Sequence, residues 1–234
     1  MIAALRTAIF FTGWVALTCI LGILGLPLLA SRCATRRLAT AWARLTLIWL
    51  RFTTSIHTEQ RGDITGQLFA SKHQSALDTL MLWLALDGPA FVLKRELYRI
   101  PIFGWYLCRT GHIAIDRRAA REALAQIEAQ AQPLLARGRR IVIFPEGTRI
   151  RPGDHKPFRA GIARVSQLLQ QPVTPVALNA GHFWPKYSLV KKPGIAMLQF
   201  LPLMPVCGDN HTNWMQQLEA TVNTASDALS PRPE

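Results

Sequence analysis

QLFASKHQSALDTLMLWLAL, Gln67–Leu86, couples a short apolar run to a longer one of helical pattern through the polar link Lys72–Ser75. A run of four to eight apolar residues stopped by polar ones reads as a buried strand, and the longer segment as a helix. Gln67–Ser71 is therefore expected as a strand and Ala76–Leu86 as a helix. The link carries His73, and the helix carries Asp78 five positions on. In one continuous helix that spacing would set the two about 140° apart. With His73 on the loop leaving a strand and Asp78 one turn into the helix, imidazole and carboxylate can meet. A carboxylate on one ring nitrogen fixes the tautomer and leaves the other nitrogen as a base near neutral pH. Asp78 has a second use, since the helix dipole favours an acid in the first turn.

Outward from this unit the pattern repeats. Ala90–Leu93, His112–Ile115, Arg140–Phe144, Val173–Leu178 and Ile195–Phe200 read as further strands. Arg118–Arg137, ending at Gly138, and Ile162–Gln170 read as helices between them, and Trp214–Leu229 as a closing helix before a frayed tail. Strands joined by crossover helices predict an α/β domain with a mostly parallel sheet flanked by helices, over residues 56–234. In such sheets ligands gather beyond the carboxyl ends of the strands, where His73 falls.

Residues 1–55 differ in character and are expected to be membrane-associated helices. Thr7–Ala30 holds no charged residue, and as a helix would be about 36 Å long, enough to cross a bilayer. Gly13, Gly22, Gly25 and Pro27 interrupt it, so a kinked or re-entrant helix and a straight span both fit. Arg32, Arg36 and Arg37 follow the run and only Arg6 precedes it, which places the remainder on the cytoplasmic side. Next, Arg37, Arg44 and Arg51 recur every seven residues among Trp42, Leu45, Ile48, Trp49 and Phe52. That stripe suits a helix lying in the membrane interface, or a core helix with a solvated arginine edge.

The 27 Lys and Arg outnumber the 14 acids, for a net charge of +13, so anionic partners are expected: phospholipid headgroups, phosphorylated substrates or an acidic carrier protein. Nucleic acid is disfavoured, because the basic residues are strewn among apolar stretches and no nucleic-acid module or zinc-ligand spacing occurs. Cys19, Cys33, Cys108 and Cys207 lack pairing or metal-ligand spacing and read as reduced thiols.

Two further stretches carry chemistry. GHIAIDRR, Gly111–Arg118, ends an apolar strand in Asp116 and two arginines at a helix start, a good phosphate cradle. IVIFPEGTR, Ile141–Arg149, stops a strand at Pro145 and projects Glu146 and Arg149 from a turn that Gly147 keeps open. In order, His73-x4-Asp78, Lys94 in LKREL, Gly111-x-Ile113-x-x-Asp116-Arg117, FPEGTR at Phe144–Arg149 and VTPVAL at Val173–Leu178 resemble the four blocks of the glycerolipid acyltransferase family. Within it the chain is most similar to the bacterial lysophosphatidate branch. Lys72 departs from the pattern, where asparagine is usual, so that loop bonding or local charge differs here.

The resemblance implies that His73 deprotonates the sn-2 hydroxyl of a lysophosphatidate while Asp78 holds the ring. It implies that Arg117, Arg149 and Lys94 bind phosphate, and that Glu146, Gly147 and Thr148 shape the substrate loop. The acyl group would come from acyl-CoA or acyl carrier protein, with no metal or prosthetic group. The absence of a GxSxG elbow agrees with direct transfer and no acyl-enzyme. It further implies a bacterial cytoplasmic membrane enzyme acting beside membrane phospholipid. Another lysolipid acceptor, such as a lyso-ornithine lipid, would use the same residues, and a noncatalytic anionic-lipid-binding protein is the reading from another class. Gly161 is expected to allow close packing and Phe158 to take a core role, while Trp83, Phe103, Trp105 and Tyr106 are expected in the core first, or else along an acyl channel.

Overall fold

The computed structural model describes residues 1–116, 120–186 and 188–231. Its strands are β1 (Ile56–Arg61), β2 (Leu68–Ser71), β3 (Ala90–Lys94), β4 (Ile113–Ile115), β5 (Ile141–Ile143), β6 (Val173–Leu178) and β7 (Gly194–Phe200). They form one sheet in the order β1-β7-β6-β2-β5-β3-β4. All neighbours pair in parallel except β6 and β7. The mostly parallel sheet expected from the sequence is thus present, with one antiparallel junction.

Successive residues of a strand face opposite sides, and the core divides accordingly. Leu68, Ala70, Ala90, Val92, Ile141 and Ile143 face one apolar layer, while Phe69, Phe91 and Val142 face the other. Ile127 and Ala131 of α5 (Ala120–Leu135), Ile162 and Val165 of α6 (Gly161–Leu169) and Trp214, Leu218 and Val222 of α7 (His211–Ala228) fill the first layer. The second is filled by Phe10 of α1 (Ile2–Leu24), Ala43 and Leu50 of α2 (Arg32–Thr54) and Leu77, Leu80 and Trp83 of α3 (Ala76–Ala85). Burial of each such side chain contributes about 1.5–3 kcal/mol. The N-terminal helices therefore share a core with the α/β domain.

α1 runs as one unbroken helix through Gly13 and Gly22, and the chain turns at Gly25 into a 3-10 turn at Leu26–Ala30. Gly13 serves packing, since a Cβ would lie 2.4 Å from the Trp49 indole. Trp49 Nε1 donates to the Phe10 carbonyl at 3.1 Å, joining α2 to α1. α2 buries Thr35, Ala43, Thr46 and Leu50 on one face. Its other face exposes Arg37, Arg44 and Arg51 beside Leu45, Ile48 and Phe52, the exposed arginine stripe common to both readings of this helix.

Both ends of α1 are tied down. Near its start Arg6 donates to the Thr53 carbonyl (2.8 Å) and Ser55 Oγ (2.6 Å), and Thr7 Oγ1 accepts from Lys191 N (2.9 Å). At its far end Tyr106 donates to the Gly22 carbonyl (2.9 Å), and Arg109 Nη2 to the Ala30 carbonyl (3.0 Å). Between these ties, α1 is apolar and long enough to cross a membrane, with 11% of its most apolar window buried.

Tyr106 and Arg109 belong to α4 (Phe103–Thr110), which sequence patterning missed because Pro101 and Gly104 read as turn formers. Phe103 and Trp105 on it are half exposed, correcting their core assignment, whereas Trp83 and Phe158 are buried as expected. β1 also went unread: only its first residue is buried, and its place at the sheet edge needs no apolar alternation. A Cβ on Gly161 would meet nothing within 4 Å, so that glycine is not needed for close packing.

Candidate active site

The site forms where β2 hands over to α3. Ser75 caps the helix: its Oγ accepts from Leu77 N (3.1 Å) and donates to the Trp184 carbonyl (2.7 Å). Asp78 reaches back as the other half of the capping box. Its Oδ2 accepts from Gln74 N (2.6 Å) and Ser75 N (2.8 Å), and lies 3.1 Å from His73 Nδ1. One fully buried carboxylate oxygen thus starts the helix and orients the imidazole. An ionised carboxylate only accepts, so in the neutral imidazole Nδ1 carries the proton and the lone pair is on Nε2.

The ring is held from its face as well. Phe144 stacks on His73 with centroids 4.0 Å apart, and Phe91 stacks behind Phe144 at 5.9 Å. His73 keeps 18% side-chain exposure beside the fully buried Asp78, so the ring is reachable from one side.

The FPEGTR turn after β5 comes to the same loop. Glu146 Oε2 accepts from His73 N (2.9 Å), and the His73 carbonyl accepts from Ile150 N (2.7 Å). Arg149, half-buried, lines an open cavity of about 150 Å³ with Ile150, Arg151 and Asp154. Lys186 donates to the Arg149 carbonyl (3.1 Å), a tie that sequence reading missed because the stretch around it, WPKYSLVKK, carries no spacing signal. Gly147 has φ +71°, and a Cβ there would lie 2.9 Å from Arg159 Nε, so the turn needs glycine for its backbone and for the guanidinium packed on it. Thr148 Oγ1 lies 3.5 Å from Lys186 Nζ.

Lys72 points inward. It is 1% exposed, its Nζ lies 3.3 Å from Glu146 Oε1, and it donates to Asn223 Oδ1 at 2.7 Å. The cation that departs from the family pattern is thus spent inside the protein and is not an extra charge at the surface. Burial pushes the Glu146 carboxyl above its usual range, opposed by the charge of Lys72 and the hydrogen bond from His73 N.

Lys94 stands apart from these contacts, half exposed and 3.3 Å from Glu96. Arg117 lies outside the described residues. His112 has a structural role: its Nδ1 accepts from Phe91 N (3.2 Å), and burial drops its pKa to about 3. The four cysteines are free.

A family model described as Acyltransferase matches residues 54–179. The 1-acyl-sn-glycerol-3-phosphate acyltransferase of Pseudomonas aeruginosa is 34% identical over 240 residues, covering 98% of this chain and 93% of that protein. Human 1-acyl-sn-glycerol-3-phosphate acyltransferase alpha is 30% identical over 207 residues, 85% of this chain and 71% of its own. Among solved structures, the 1-acyl-sn-glycerophosphate (LPA) acyltransferase PlsC from Thermotoga maritima superposes with a TM-score of 0.73 at 22% identity, over 99% of this chain and 97% of that one, and so has the same fold.

Proposed function

The chain belongs to the acyltransferase family, and we propose that it transfers an acyl group from acyl-CoA or acyl carrier protein to the sn-2 hydroxyl of a lysophosphatidate, giving phosphatidate. The observation that carries this reading is the His73–Asp78 contact at 3.1 Å beside a turn bearing Arg149. His73 Nε2 takes the hydroxyl proton as the oxygen attacks the thioester carbonyl. Asp78 stabilises the imidazolium that results. As the tetrahedral centre collapses the carbon–sulfur bond breaks, and the imidazolium returns its proton to the leaving thiolate. General-base assistance of this kind contributes about 10²- to 10⁴-fold, or about 3 to 5 kcal/mol.

Arg149 and Arg117 grip the substrate phosphate by paired N–H donors, with Lys94 as a looser cation at the end of β3. Glu146 holds the His73 backbone and takes no part in the proton transfers. Residues 1–55 anchor the enzyme at the cytoplasmic face of the membrane. The ties at both ends of α1 support a helix that lies in one leaflet and does not cross.

The test is to incubate the purified protein with labelled acyl thioester and a panel of lysolipids. Phosphatidate is the expected product, and its loss in a folded His73→Ala variant is expected to exceed about 100-fold. Another diacyl lipid as sole product would reassign the acceptor. No product from any lysolipid would refute the enzyme reading, and an active His73→Ala the base.

A further inference from the structure

The helix α7 lies beyond the stretch matched by the family model, yet its polar side chains reach each segment that frames the site. Glu219, Asn223, Ser226 and Asp227 recur at helical spacing and form a seam next to the apolar stripe of Trp214, Leu218 and Val222. Glu219 accepts from Phe158 N (2.8 Å), at the segment packed beside the FPEGTR turn. Ser226 Oγ accepts from Leu178 N (3.3 Å), at the carboxyl end of β6. Asp227 lies 3.3 Å from His155 Nε2. At the centre, Asn223 Oδ1 accepts from Lys72 Nζ, whose other contacts are Glu146 Oε1 (3.3 Å) and the Asp154 carbonyl (3.3 Å).

We propose that this seam is a positioning element for the catalytic loop, acting through the relay Asn223–Lys72–Glu146 to the backbone N–H of His73. The inference rests on His73 being the base. Lys72 directly precedes His73 and cannot move without moving it. Glu146 holds His73 N from the other side, and its own carboxylate is buried with Lys72 as its ion partner. A lysine here in place of a shorter amide spans the gap to α7 and transmits the helix position to the ring. The fold does not require the relay, because the apolar stripe of α7 already anchors it in the core. Misplacing a catalytic group by about 1 Å costs on the order of 100-fold in rate.

The experiment compares Asn223→Leu, Asn223→Asp, Lys72→Met and the double variant Lys72→Met/Asn223→Leu. The assay uses 1-oleoyl lysophosphatidate with oleoyl-CoA or oleoyl-acyl carrier protein, whichever the wild-type enzyme turns over. Asn223→Leu and Lys72→Met are each expected to lower kcat by about 10- to 100-fold, with KM for lysophosphatidate within about twofold. Asn223→Asp keeps the acceptor oxygen and is expected to retain kcat within about threefold. The double variant is expected to fall no lower than the worse single one, as members of one relay do. A folded Asn223→Leu with kcat within about twofold of wild type, or single losses that multiply in the double variant, would overturn the proposal. If leucine prevents folding, Asn223→Ala is read in its place by the same criteria. His73→Ala assayed in parallel separates the failures: if it is active, the base assignment falls and the relay with it. If it is inactive and Asn223→Leu is unaffected, only the relay falls.

Discussion

Asp78 serves two masters with one atom, and this decides how its variants behave. Oδ2 bonds Gln74 N, Ser75 N and His73 Nδ1, so an asparagine oxygen in its place can keep these contacts but brings no negative charge to stabilise the imidazolium. Asp78→Asn is expected to lower kcat by about 100- to 10,000-fold with a folded circular dichroism spectrum and little change in KM. Arg149→Lys is expected to raise KM for lysophosphatidate about tenfold or more, because an ammonium cannot reproduce a planar fork on phosphate. Unchanged kinetics there would reduce Arg149 to a surface charge. The His73–Asp78 pair was legible in the sequence because both residues sit within one strand–helix unit, where local geometry is nearly fixed by the elements themselves. The inward course of Lys72 was not, because its partners Glu146 and Asn223 are distant in the chain and only tertiary packing brings them together.

At the scale of elements, the docking of α1 is the part that sequence left open. Periodicity located the apolar run, but Gly13 reads identically as a kink or as a place where a tryptophan fits, and the choice depends on Trp49 of α2. The same docking buries Lys191, whose ammonium lies 4.4 Å from the Phe11 ring centroid and 4.7 Å from that of Trp184. Burial pulls its pKa down from 10.5 to about 8. Between those two values the unfolded chain holds more protons than the folded one, so stability rises with pH across this window as the cost of the buried charge disappears. Lys191→Met, which keeps the ring contacts, is expected to be more stable than wild type by about 1 to 3 kcal/mol at pH 7, since each tenfold loss of proton affinity on folding corresponds to about 1.4 kcal/mol. That margin should shrink towards pH 10. Thermal melts in detergent at the two pH values check it, and a margin that stays constant or grows would show that the charge is not what burial penalises. β1 and α4 escaped sequence reading for complementary reasons: β1 is a polar edge strand held by backbone pairing with β7, and α4 is a short helix in which Gly104 passes close to the Tyr98 carbonyl.

Over the whole molecule, α1 exposes apolar side chains such as Ile9, Val15, Ile20 and Ile23, and α2 exposes its arginine stripe. Phe10 of α1 and Ala43 and Leu50 of α2 share one core with Phe69 of β2 and Leu77 and Leu80 of α3. With Ile2→Cys and Ser31→Cys placed at the two ends of α1 in a background lacking Cys19, Cys33 and Cys108, a membrane-impermeant thiol reagent should label both from the cytoplasmic side of sealed vesicles. Labelling from opposite sides would mean a crossing helix and would require the ties from Arg6 and Tyr106 to break. In the proposed one-leaflet seating both ends of α1 stay with the polar body, so no charged segment has to be dragged through hydrocarbon. On the proposed seating the finished fold would settle onto a leaflet without a translocation channel, and its residence there would be a question of partitioning rather than of topology.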